Sequence, residues 1–233
     1  MSELTFNSQN LSGFGVYISG EGTYNAPTRA MDEEIVPGRN GTLLIDGGRW
    51  ENIIVTYPAF IADNFDTNMA RLRNFLASVR GYARLSDSYH PNEFRLASFS
   101  DGITVKTSGR YNTQGQFNLS FNCKPQRFLT SGETVQTFDD DGSIENPTPF
   151  ASNPIIRIYG TGTVEVGDVS ITFDGSSAYV DIDSEIQDAY YGVTSKNSAI
   201  TLTPNRFPTL SGVTGITLDG VTQVDVTPRW FNL

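Results

Sequence analysis

Histidine and cysteine each occur once in this sequence, as His90 and Cys123. A histidine acting as a base needs a nucleophile beside it and an acid to orient it. His90 stands in "SYHPNE", among polar residues and a proline, and the chain contains no G-x-S-x-G. The context predicts a solvated loop histidine. Cys123 closes the alternating stretch "GQFNLSFNC", on the same face as Phe117, Leu119 and Phe121, and reads as a small core residue. One histidine and one cysteine do not make a zinc site. The acidic run "DDDGSIE" at 139–145 lacks the D-x-D-x-D-G spacing of a calcium loop and reads as solvated. Asp181, Asp183 and Glu185 share one face of a strand, either as a calcium- or sugar-binding edge or as a solvent face. The solvent face is favoured, because charge on an edge strand blocks unwanted pairing. No Gly-Lys dipeptide is present, so no P-loop is predicted. Paired carboxylates for glycoside hydrolysis stay open, since their separation is a tertiary property. Arg71, Arg73, Arg80 and Arg84 cluster on and after one helical stretch, as a solvated face or as a subunit or lumen contact. These residue types call for no cofactor or metal, and the sequence predicts no enzyme.

The elements that would position these residues are mostly strands. In "NFDTNMARLRNFLASVRGYARL", Met69, Leu72, Leu76 and Val79 recur on one helical face, with Asn64 or Asp66 as the cap and Gly81 as the stop. "LLIDGGRWENIIVTYPAFI" reads as two strands around an Asp-Gly-Gly turn, and Asn40-Gly41 just before it as another tight turn. From Asn153 onward, short β-rich stretches alternate with turn signals. Asp174-Gly175 and Asp219-Gly220 are predicted there as hairpin turns of a β-sandwich. The polar, acidic, proline-bearing stretch 131–150 reads as a linker. The expected organisation is therefore residues 1–130, a linker 131–150, and residues 151–233.

Charge supports a division. Residues 1–130 carry 12 Lys+Arg and 12 Asp+Glu, whereas residues 131–233 carry 4 and 14, so the second part holds the whole net charge of −10. An acidic surface argues against binding a phosphate backbone. The start "MSELTFNSQN" has neither a basic nor an apolar leader region, and no apolar run reaches the ~20 residues of a membrane helix. The sequence thus predicts a soluble product of a cytoplasm.

The order of these signals resembles a known family. "PGRNGTLLIDGGRWENIIVTY" precedes the helix "NMARLRNFLASV". The strand "GQFNLSFNCKPQRFL" follows, then "NPIIRIYGTGTVEVGDVSITF", "AYVDIDSE" and a closing "VTQVDVTPRWFNL". This is similar to the distal tail proteins (Dit) of long-tailed, non-contractile bacteriophages. The resemblance spans essentially the whole chain, and order and spacing carry it, not any chemical motif.

The resemblance implies a mainly β fold: an N-terminal, ring-forming β-sandwich with one α-helix and a hairpin, and a C-terminal galectin-like β-sandwich. It implies a homo-hexameric hub in the virion's tail tip, assembled in the host cytoplasm, without catalysis. Its partners would be the tail tube protein and the tail-associated fibre or lysin protein, with no nucleic acid and no membrane. The hairpin would reach the neighbouring subunit. Residues 31–50 are the expected segment, with Arg39, Asn40, Gly41, Arg49 and Trp50 at the interface, joined by Arg71 and Arg73. The alternative is a carbohydrate-binding module for host surface glycans, in which Tyr190 and Tyr191 are the candidate sugar contacts. The tail end of the chain is about the length of one bare sandwich, leaving no room for an added receptor-binding module.

Overall fold

A computed structural model describes residues 2–20, 22, 24–99, 101–108 and 113–233. The chain divides into two units, Met1–Arg127 with Leu233, and Phe128–Asn232. The fold class is mainly β, antiparallel and sandwich-type, with a single α-helix among the described residues.

The first unit is built on a sheet whose strands run in the order Gln9–Asn10, Leu4–Phe6, Ala83–Asp87, Glu93–Ser98, Gln114–Leu129, Ile53–Ile61 and Val16–Ile18. Its centre is the long pairing of Ile53–Ile61 with Gln114–Leu129, in register from Gly115 opposite Ile61 to Cys123 opposite Ile53. Both strands alternate, so Val55, Tyr57, Ala59, Phe117, Leu119, Phe121 and Cys123 enter one core. The helix Phe65–Ser78 adds Phe65, Met69, Leu72 and Leu76 to that core. Val79 lies just past the helix, in extended backbone, and still packs against it. Phe65 sits on the strand at Gly115, where a Cβ would come within 2.3 Å of its ring. The glycine makes room for the first turn of the helix. Asn64 precedes the helix without capping it through its side chain, and Asp66 lies in the first turn, where a negative charge suits the helix dipole.

Cys123 is fully buried, and burial pushes its thiol up to about 11. The thiolate is the reactive form. A thiol reagent at pH 8 should therefore leave native Cys123 unmodified for hours and label it within minutes in denaturant. Rapid labelling of the native protein would contradict this burial.

The second unit is a sheet folded into a sandwich. Two long strands, Ile155–Val166 and Val213–Thr227, pair from Ile155 opposite Thr227 to Val166 opposite Ile216. Their first and second halves take different neighbours. Tyr179–Asp183 continues the sheet from Ile155–Tyr159, whereas Val169–Phe173 pairs with Gly162–Val166. Ile156, Ile158, Val180 and Val224 from one half thereby meet Val164, Ile171, Phe173 and Ile216 from the other in one core. The register breaks between Tyr159 and Thr163, where Gly160 and Gly162 have φ of +87° and +153°.

Three expectations change here. Residues 131–150 are not a linker: Gln136–Phe138 and Gly142–Glu145 both pair with Val213–Thr227 as strands of the second unit. Asp219-Gly220 is not a hairpin turn but lies inside the strand Val213–Thr227, at the register break. Asp174-Gly175 ends the strand Val169–Phe173 and leads to Tyr179–Asp183, a strand it does not pair with.

Candidate interaction surface

In chain order, between the neighbouring strands Val16–Ile18 and Ile53–Ile61 of the first unit, comes a separate two-stranded sheet, Arg29–Ile35 with Thr42–Trp50, which pairs with no other strand among the described residues. Nearly every residue in it is exposed. The connection holds Pro37 and Gly38, with the Arg39 N–H donating to the Val36 carbonyl at 3.1 Å and Gly38 at φ +81°. Pro then Gly at the two central positions is the chemistry of a type II turn. The predicted turn at Asn40-Gly41 is thus the second part of this longer connection.

The Asp46-Gly47-Gly48 stretch is not a turn, as expected from sequence, but a bulge inside the strand Thr42–Trp50. Met31 lies opposite Asp46 and Arg29 opposite Trp50, so three residues face Ala30 alone. Gly48 has φ +66°, and its N–H donates to Asp46 Oδ1 at 2.9 Å. Asp46 also pairs with Arg29, whose guanidinium lies 5.4 Å from the Trp50 ring. The Arg29 hydrogen bond and then the Gly48 N–H hold the Asp46 carboxyl below the usual carboxylate range. With the carboxyl depressed, the link is present above the ordinary aspartate pKa and is lost only as pH falls through the lowered value. Amide protection at Gly48 should survive acidification past about pH 4, the ordinary aspartate midpoint. Asp46→Ala, which removes the acceptor, should abolish it at every pH.

Residues directly opposite each other share a face of a ribbon. On one face Met31 meets Asp46, Glu33 meets Leu44, and Ile35 meets Thr42; on the other, Asp32 meets Ile45 and Glu34 meets Leu43. Neither face is apolar. The asymmetry runs from edge to edge instead: acids on Arg29–Ile35, aliphatics on Thr42–Ile45. Met31, Ile35, Val36, Leu43, Leu44 and Ile45 are all exposed, Ile35 at 80%. A ribbon mixed on both faces has no face to lay on its own core.

The expected interface residues fall into separate places. Arg39, Asn40 and Gly41 are at the tip of the hairpin, and Arg49 and Trp50 at its root. Arg71 and Arg73 are on the exposed side of the helix, Arg71 with its guanidinium 5.2 Å from the Phe14 ring. The sequence marks "TLLID" as a short apolar strand of this segment, but that the acids Asp32, Glu33 and Glu34 stand opposite its aliphatics needed the register.

His90 is also placed differently than expected. It does lie in a turn, yet its ring is largely covered and Nδ1 sits 3.1 Å from Asp87 Oδ1. Asp87 also accepts from the Tyr57 hydroxyl at 2.7 Å and from the Tyr89 and His90 N–H groups, each at 2.9 Å. The orienting acid is present, but the space beside the ring is a cavity of only about 20 Å³.

In the second unit, Asp181 and Asp183 are buried, not on a solvent face, and their strand lies between two others. Arg157 holds Asp181 through two hydrogen bonds of 2.6 and 2.9 Å, and Arg229 holds Asp183 through two of 2.7 and 2.9 Å. Glu185 accepts from Asn153 at 2.7 Å. Among the described residues no group of three His, Cys, Asp or Glu is placed to hold a metal. Tyr190 is opposite Asp181 and lines a cavity of about 240 Å³ with Arg157 and Asp225, and burial raises its phenol. The Tyr191 ring packs 4.7 Å from that of Tyr179.

An antiparallel β protein of two units with one helix is a class already seen in solved structures. One of them is the crystal structure of SPP1 Dit (gp 19.1) protein, described as a paradigm of the hub adsorption apparatus in phages infecting Gram-positive bacteria. It matches with a TM-score of 0.67 over 98% of this chain and 98% of that one, at 12% identity. The likeness is one of fold. No family model matches the chain, and no curated protein matches it. No helix among the described residues is long and apolar enough to cross a membrane.

Proposed function

We propose that this chain is the structural hub of a bacteriophage tail tip. In this reading it forms a homo-hexameric ring in the virion that joins the tail tube protein to the tail-associated fibre or lysin protein, after assembly in the host cytoplasm. The observation that carries the reading is the whole-chain fold likeness to SPP1 Dit. The first unit forms the ring, and the second is a galectin-like outer domain. The hairpin 29–50 supports this, because a two-stranded ribbon with exposed aliphatics is marginal alone and gains from a neighbour's surface. Its aliphatic edge, Thr42–Ile45, is the one suited to adding strands, and the acidic edge discourages wrong pairing. Arg39, Asn40, Gly41, Arg49 and Trp50 accompany it into the contact, with Arg71 and Arg73 on the receiving side.

The hub acts without catalysis. The carbohydrate alternative gains little from Tyr190 and Tyr191, because the carboxylates beside Tyr190 already have arginine partners. The test is native mass spectrometry with negative-stain imaging of the full chain. A six-fold ring is expected, and a monomer at micromolar concentration would overturn the reading.

A further inference from the structure

The small cavity beside His90 is lined by Tyr57, Asp87, His90, Glu93, Arg95 and Arg127, among others. Four buried atoms of its lining have no hydrogen-bond partner among the described residues: Arg95 Nη1, Arg127 Nε, Glu93 Oε2 and His90 Nε2. Arg95 is only 7% exposed, and burial lowers its pKa. Glu93 Oε2 stands 3.5 Å from Arg127 Nη1, an ion-pair distance that leaves the oxygen free to accept.

The protonation of the histidine follows from its neighbour. Asp87 Oδ1 faces His90 Nδ1, and an ionised carboxylate only accepts, so Nδ1 carries the proton. In the neutral ring Nε2 is then an acceptor. The unspent groups are therefore two donors, Arg95 Nη1 and Arg127 Nε, and two acceptors, Glu93 Oε2 and His90 Nε2. A halide would satisfy the donors alone and would be repelled by Glu93. A metal cation would satisfy the acceptors alone and would be repelled by two guanidinium groups. A water molecule donates two hydrogen bonds and accepts two. The cavity of about 20 Å³ exceeds the ~10–15 Å³ that one water needs.

We propose that this cavity is a binding site for a single ordered water molecule, held by Arg95, Arg127, Glu93 and His90. The water ties the turn that carries His90 to the strands Glu93–Ser98 and Gln114–Leu129. The same imidazole supports the approach to the hairpin. A Cβ at Gly22 would lie 3.0 Å from His90 Cε1, and the Tyr24 ring meets the imidazole edge-on at 5.2 Å. The water thereby fixes the base of the segment that leads into Arg29–Ile35. This inference needs no assumption about assembly.

Because His90 is the only histidine, one imidazole gives the whole ¹⁵N signal of a histidine-labelled sample. In the neutral imidazole the expected result is a protonated Nδ1, a bare Nε2, and a cross-peak from the ring to a slowly exchanging water. Arg95→Met should remove the cross-peak while Nδ1 stays protonated against Asp87. An Nε2–H tautomer would overturn the proposal. So would a crystal structure in which Arg95 and Glu93 close directly on each other with no solvent between them.

Discussion

Gly162→Ala is expected to unfold the second unit at temperatures where the first is still native. The Cβ it adds would lie 2.2 Å from the Asp219 carbonyl oxygen and 2.8 Å from the Gly220 carbonyl carbon and the Val221 nitrogen. These are backbone atoms of the partner strand, so no side-chain rotation relieves the clash. The residue's φ of +153° is also one that side-chain-bearing residues rarely adopt. Relief requires moving Ile155–Val166 away from Val213–Thr227 at the point where the sheet turns from one sandwich layer to the other. A strained backbone alone costs about 1–3 kcal/mol, and separating the central pair adds to it. Against a total of roughly 5–15 kcal/mol for a domain, a loss of about 4 kcal/mol lowers the melting temperature by at least ~15 °C. Gly212→Ala is the control. Gly212 also has positive φ, +55°, but a Cβ there meets nothing within 4 Å, so its cost should stay near 1–2 kcal/mol. Calorimetry that found the two variants equally stable would refute the steric argument.

Replacing residues 31–48 with Gly-Ser is expected to leave both units folded and to prevent assembly of the proposed ring. Arg29 and Trp50 are opposite each other, so the two inserted residues, with Ala30 and Arg49, close the truncated ribbon without strain. The removed residues contribute no side chain to either core, so the melting temperature should change by less than about 3 °C. The deletion does remove Met31, Ile35, Val36, Leu43, Leu44 and Ile45, the apolar surface that a neighbour would cover. At ~25 cal/mol per Å², even 200 Å² of such surface per contact is about 5 kcal/mol, several thousand-fold in association. Sedimentation of a folded monomer is the expected outcome. A variant that sediments like the intact protein would place the ring contacts elsewhere, first of all on Arg71 and Arg73.

The helix and the alternating strand were legible in the sequence for the same reason: one buried face imposes one period. Met69, Leu72 and Leu76 at helical spacing, and Phe117 through Cys123 at spacing two, all reach the core. Bulges were not legible. Asp46-Gly47-Gly48 and Asp219-Gly220 carry the residues of a tight turn, because a bulge and a hairpin turn both ask for a glycine at positive φ. Only the partner strand decides between them, and that is a long-range fact. The stretch 131–150 was misread for a related cause. Most of its polar residues face outward, and a few buried side chains such as Ile144, Asn146 and Thr148 suffice to anchor it. The buried Asp181 and Asp183 were hidden because their partners, Arg157 and Arg229, lie 24 and 46 residues away. The fold class and the hairpin segment were thus visible, while the edge-to-edge division of the hairpin needed the register.

That division gives the chain a direction. If the aliphatic edge is the outgoing contact and a different surface receives it, each copy has a valence of two, one male and one female. Such links are head-to-tail: they close into a ring when the angle between copies is right, and run on as a filament when it is not. A copy without its hairpin keeps the female surface and loses the male one. Added in small amounts to intact protein, it would act as a chain terminator, accepting a neighbour and offering nothing onward. Closed rings would then fall more steeply than the fraction of truncated copies rises, since one terminator spoils a whole circle.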